Sequence, residues 1–124
     1  MTSVSAVLFA KDLQRVSDFY VEALGLQRSA ADDHHVALDC RGFSLIVHQI
    51  PQALIHESEP LFPRREEASL RLTFPVNDIA TARQRAATYG GHIDPTPPAW
   101  AEANAFLGHD PEGNVFKIVH APRG

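Results

Sequence analysis

Two stretches of this 124-residue chain repeat one pattern, 66 residues apart. Asp12 opens a run with Leu13, Val16, Tyr20 and Ala23 at helical spacing and a stop at Gly25. Asp78 opens a second, with Ile79, Ala82, Ala86 and Tyr89 in the same places and a stop at Gly91. The acidic residue at each start is a helix N-cap, whose carboxylate accepts from free backbone N–H groups. Glycine at the end of the first takes the left-handed cap conformation. A chain that carries one supersecondary unit twice folds as two related modules, and two related half-sites facing each other make a pocket.

The strand signals around each helix agree with this. Alternating or β-branched runs predict strands over residues 4–10, 26–30, 35–39 and 43–49, with turns at 31–34 and Arg41-Gly42. After the second repeat start the order returns: a strand over 69–76, a helix over 79–89 and short strands over 92–94, 104–108 and 115–120. Pro95-Thr-Pro-Pro98 is a stiff loop, and Asp110-Pro-Glu-Gly-Asn114 has turn chemistry. The expected fold is α+β: two tandem βαβββ modules, about 4–49 and 69–120, forming a cupped mixed sheet with helices outside. Between them, residues 50–68 hold three prolines and four glutamates and read as a solvated linker. The alternative is a lid or dimer arm carrying Leu54, Ile55, Leu61 and Phe62.

Strand residues alternate between faces. Leu70, Leu72, Phe74 and Val76 form one set and pack under a helix. So do Phe43, Leu45 and Val47, Phe116 and Ile118, and Ala6 and Leu8. The opposite face then carries Ser5, Val7, Phe9, Ile46, His48, Arg71, Thr73, Lys117 and Val119. That mixture of apolar and convergent polar side chains suits a small-molecule pocket.

Composition narrows the partners. Eleven Lys and Arg against fifteen Asp and Glu, with no basic run, argue against nucleic acid. No apolar stretch is long enough to span a membrane, and residues 1–6 do not read as a signal peptide, so none is expected. The single cysteine, Cys40, forms no internal disulfide, and a reducing, cytoplasmic setting is expected. It reads as a small buried filler rather than a reactive thiol. With no G-x-G-x-x-G, P-loop or nucleophile elbow, no cofactor is expected.

The paired modules, the segments Asp12-Leu13…Phe19-Tyr20…Leu24-Gly25 and the turn Asp110-Pro-Glu-Gly-Asn114 resemble the vicinal oxygen chelate superfamily. That group includes glyoxalase I, extradiol dioxygenases, fosfomycin resistance proteins and bleomycin resistance proteins. The resemblance covers nearly the whole chain and speaks for the fold, not for one activity. It implies metal-ligand positions on the non-helix face, seven residues before each helix-starting Asp and seven after the Asp of the turn. These are Ser5, Arg71 and Lys117; the fourth aligns with Ile46, or within two residues with His48. Serine, isoleucine, arginine and lysine do not suit a divalent cation, and two of them repel one. No metal is therefore expected, as in the bleomycin-resistance-type binding members.

Among the seven histidines, His48 falls on the pocket face as a hydrogen-bonding group, and His35 is placed to join it. Arg71 and Lys117 converge in one cleft if the superfamily geometry holds. Two like charges about 4 Å apart cost about 4 kcal/mol at an effective dielectric of ~20. An internal carboxylate such as Asp39 or Glu102 offsets that, or an anionic ligand does, or Lys117 reaches solvent. Trp100, with Phe9 and Phe106, offers a flat wall to an aromatic ligand, or else packs in a dimer interface. The leading expectation is a metal-free binding protein for a small anionic, partly apolar ligand, acting as a homodimer. The alternatives are a glyoxalase- or dioxygenase-like enzyme with a non-standard site, and an accessory subunit that binds another protein.

Overall fold

Both helices start where an aspartate can hold the first turn. Asp12 accepts from the Arg15 N–H at 3.1 Å and Asp78 from the Thr81 N–H at 3.1 Å. The computed structural model describes residues 4–55, 64–101 and 104–121. Its elements run β1 (Val4–Ala10), α1 (Leu13–Leu24), β2 (Gln27–Ala31), β3 (His35–Cys40), β4 (Phe43–Gln49), β5 (Thr73–Val76), α2 (Ile79–Thr88), β6 (His92–Ile93), β7 (Ala105–His109) and β8 (Val115–His120). A single 3-10 turn, Gln52–Leu54, follows β4. Gly25 ends α1 at φ 78°, the left-handed cap expected of it.

The repeat is plain in the strand order. One sheet runs β1-β4-β3-β2 and the other β5-β8-β7-β6. In each, the first strand pairs in parallel with the last, and the other pairings are antiparallel. These two mixed four-stranded sheets with two helices are the expected α+β modules. No ladder joins β1 to β5 among the described residues, so the sheets do not close. Pro75 suits β5, an edge strand, because it offers no N–H to a further neighbour.

The two modules share one apolar core. Val16, Phe19, Tyr20 and Ala23 of α1 are buried, as their spacing predicts, with Leu45, Val47, Phe74, Val76, Phe116 and Ile118. Tyr20 packs on Phe74 with ring centroids 5.7 Å apart, and Phe19 on Phe116 at 5.8 Å. These pairs carry α1 across onto the second sheet. Gly91 makes the approach possible: a Cβ there would lie 2.3 Å from Phe19 Cε2 and 2.5 Å from the His109 carbonyl.

A polar lock ties the modules at the same end. Glu112, in the turn before β8, accepts from the Lys11 and Asp12 N–H groups, each at 2.9 Å. The Tyr20 hydroxyl donates to Asp110 Oδ2 at 2.8 Å. Asp110 is fully buried and its other oxygen accepts from the Glu112 and Asn114 N–H groups. Burial and the Asp110 carboxylate push the Tyr20 hydroxyl well above its ordinary pKa, so it stays a donor.

Three expectations need correction. The strand expected from Ser69 begins only at Thr73, and Leu70 is 68% exposed rather than core. The chain there is tied elsewhere: the Arg65 N–H donates to the Gly113 carbonyl, and contact with β8 starts where Lys117 N–H meets the Leu72 carbonyl. Phe106 also lies on the helix side. It shares a register row with buried Ile118, and the Arg83 guanidinium sits 4.9 Å from its ring centroid. Cys40 is half-buried rather than buried; burial nonetheless raises its thiol pKa, which disfavours the thiolate. Of the lid or arm residues, Leu54 is exposed and Ile55 half-buried, while Leu61 and Phe62 lie outside the described residues.

Candidate functional site

Strand register assigns the non-helix face of the first sheet. Three rows cross it: Ser5, Ser44 and Asp39; Val7, Ile46 and Ala37; Phe9, His48 and His35. In the last row the Phe9 and His48 rings are 5.6 Å apart, and His48 and His35 stack at 6.5 Å with planes 14° apart. His48 Nδ1 lies 2.9 Å from its neighbour's carbonyl, Gln49 O. His35 Nδ1 lies 2.9 Å from Asp32 Oδ1. Asp32 also accepts from the His34 and His35 N–H groups, which lowers its carboxyl pKa. Val7 and Phe9 are 52% and 60% exposed, a substantial apolar surface beside two imidazoles.

The second sheet presents rows of Thr73, Lys117 and Leu107; Pro75, Val119 and Ala105; and Val115, His109 and His92. Lys117 is half-buried, and no carboxylate among the described residues pairs with it. Arg71 is also half-buried. Its Nη2 donates to the Glu66 main-chain carbonyl at 3.3 Å, a neutral acceptor. Asp39 accepts from Ser44 Oγ at 3.2 Å on the first sheet; Glu102 lies outside the described residues. Trp100, 66% exposed, sits in the loop before β7.

Sequence reasoning missed one cluster on this face. Arg64 grips Asp94 with both η nitrogens, at 2.7 and 2.9 Å. Its Nε lies 2.7 Å from Glu66 Oε1 but out of line for a hydrogen bond. The fork lowers the Asp94 carboxyl pKa and raises that of the guanidinium. His92 Nε2 is 3.4 Å from Asp94 Oδ1, and its ring is 5.6 Å from that of His109. Burial, then Arg64 and His92, hold His109 below the usual imidazole pKa, and its buried Nδ1 has no hydrogen-bond partner. The alternation of β7 was the available signal, since His109 shares a face with Leu107 and Ala105.

The four positions that the resemblance implies, Ser5, Ile46, Arg71 and Lys117, carry a hydroxyl, an alkyl chain, a guanidinium and an ammonium. That donor set does not fit a divalent cation. No three His, Cys, Asp or Glu side chains among the described residues are disposed to hold one. A groove of about 530 Å³ lies between the end of α1 and the start of α2 and includes Asp39 and Pro75 in its lining. No described helix is long and apolar enough to cross a membrane.

Comparison with known proteins agrees with this architecture. The profile of the glyoxalase-like domain family matches residues 5–119. Solved structures with the same fold include a glyoxalase/bleomycin resistance protein from Albidiferax ferrireducens T118. It is 16% identical, with a TM-score of 0.67 over 96% of this chain and 98% of that one. A glyoxalase-related enzyme from Fulvimarina pelagi is 20% identical, with a TM-score of 0.67 over 100% and 93%. A fosfomycin resistance protein from Mesorhizobium loti is 14% identical, with a TM-score of 0.65 over 98% and 92%. No curated protein sequence matches significantly. The two βαβββ modules and the profile match over nearly the full length lead to one conclusion: the chain belongs to the glyoxalase-like domain family.

Proposed function

We propose that this protein is a metal-free small-molecule binding protein of the bleomycin-resistance type, which takes a small anionic, partly apolar ligand between its modules. The observation that carries the reading is the pair Arg71 and Lys117. Both are half-buried at inherited ligand positions, and neither meets a carboxylate among the described residues. A carboxylate or phosphate supplies the missing counter-charge, and the Arg fork orients it. Val7, Phe9, Ile46 and Val119 supply apolar area for the rest of the ligand, at about 25 cal/mol per Å² buried. Ser5, His48 and Thr73 offer orienting hydrogen bonds, and Trp100 a further flat wall. A calorimetric screen of carboxylates, phosphates and their neutral analogues tests this. Binding confined to neutral or cationic compounds would refute it.

A second reading, an enzyme of the glyoxalase or dioxygenase kind with a non-standard site, is favoured by His48. It lies beside the inherited Ile46 position, between Phe9 and His35. Elemental analysis of untagged protein separates the two. The binding reading expects no stoichiometric metal; one Zn, Fe, Mn or Ni per chain, lost in His48→Ala, favours the enzyme. The proposal includes a cytoplasmic homodimer. Each sheet leaves two edge strands, β1 and β2 in the first and β5 and β6 in the second, and such edges are usually covered. The Glu112 lock supports pairing of the modules within one chain.

A further inference from the structure

Between β1 and β5, where the two sheets fail to join, lies a cavity of about 180 Å³. Its walls come from both modules: Leu8 and Leu45 on one side, Leu72, Phe74 and Phe116 on the other, with Tyr20 of α1 behind. Residues 65–72 pass over its mouth, held to the turn before β8 by the hydrogen bond from Arg65 N–H to the Gly113 carbonyl. The space is a cleft open at one side rather than a sealed void. Arg65 and Asn114 are polar residues of its lining and the remaining walls are mostly apolar; an apolar cavity of about 150 Å³ is large enough to take benzene. The second observation is at the mouth. Val7 and Leu70 both line the cavity, yet they are 52% and 68% exposed. Large apolar side chains left in water beside an apolar cavity gain from an occupant that covers both.

We propose that this seam is a binding site for a single six-membered aromatic ring, inserted between β1 and the 65–72 segment and covering Val7 and Leu70. Tyr20, Phe74 and Phe116 favour a ring over an alkyl chain, because they offer edges and faces for offset or edge-to-face packing. The inference deepens the function proposed above by giving the ligand's apolar part a receptor; it rests on that reading only for the ligand's charged end.

Toluene is the probe, titrated into methyl-labelled protein and followed by ¹H–¹³C spectra. The expected result is saturable shifts at Leu8, Leu45 and Leu72, with Val4 and Leu54 unmoved. Ala6 also lines the cavity. Ala6→Phe, or the smaller Ala6→Leu if the first fails to fold, fills the space and should weaken toluene at least about tenfold. No saturable shift, equal shifts at Val4 and Leu54, or filled variants that bind like the parent would overturn the proposal. Toluene carries no charge, so its binding is independent of Arg71 and Lys117. Toluene binding without carboxylate binding supports the seam and counts against the anion reading; carboxylate binding without toluene overturns the seam alone.

Discussion

Replacing Glu112 by alanine removes a carboxylate that joins the second module to the start of α1. Glu112 is only 6% exposed, and its two oxygens each accept a backbone N–H at 2.9 Å, from Lys11 and Asp12. Hydrogen bonds to charged groups contribute about 1.5–3 kcal/mol each. Lys11 is half-buried and Asp12 exposed, so water reaches the freed donors and the lower end applies to each. The expected loss for Glu112→Ala is therefore about 3 kcal/mol. For a domain of this length that is a fall in melting temperature of roughly 12 °C. Glu112→Gln keeps one oxygen acceptor and should lose about half as much. Asp12→Ala, which removes an ordinary N-cap, should cost about 1 kcal/mol. Urea titrations at constant slope give the ordering directly. If Glu112→Ala falls within about 0.5 kcal/mol of the parent, as a neutral surface change does, the contact does not hold the modules together.

Gly91→Ala should cost about 1–3 kcal/mol by overpacking, because the new methyl meets Phe19 and the His109 carbonyl; a thermal melt equal to the parent's would contradict the packing described. His109 has a lowered folded-state pKa, so the unfolded chain takes up a proton more readily. Its contribution makes stability fall as pH drops below about 6.5, the unperturbed value, and His109→Gln should flatten that part of a pH–melting curve; an unchanged curve would refute the assignment. Asp94 behaves oppositely in origin. Arg64 depresses its folded pKa, so its stabilisation is full above the unfolded carboxylate range and is lost as pH falls through the folded value. Arg64→Ala should remove that acid-side loss, as measured by acid titration of the far-ultraviolet signal.

The fold was legible because its signals are local and periodic. An N-cap aspartate, a four-residue apolar stripe and a terminal glycine describe α1 without any tertiary knowledge. Alternation over 43–49 and 115–120 separates Leu45, Val47, Phe116 and Ile118 from Ile46, His48 and Lys117, since each sheet has one face against the core. The same rule fails at Leu70. Its alternation with Leu72 and Phe74 is real, but contact with β8 begins only at Leu72, and the chain before it is tied at Arg65 to Gly113 in the preceding turn. No local pattern records that tie. Glu112 was read as part of a turn, yet its partners lie a hundred residues earlier. The Arg64, Asp94, His92 and His109 cluster is assembled by a linker, a two-residue strand and the end of β7, none long enough to show a period. Phe106 could be assigned to a face only once β7 was in register with β8.

The central claim is that Arg71 and Lys117 receive an anion. Calorimetry on Arg71→Ala and Lys117→Ala, with the tightest carboxylate or phosphate found for the parent, tests it most directly. Losing one charged contact costs about 1.5–3 kcal/mol, so each variant should bind roughly ten- to a hundredfold more weakly, while the neutral analogue of the same ligand binds parent and variants alike. Equal affinity of both variants and the parent for the anion would contradict the account.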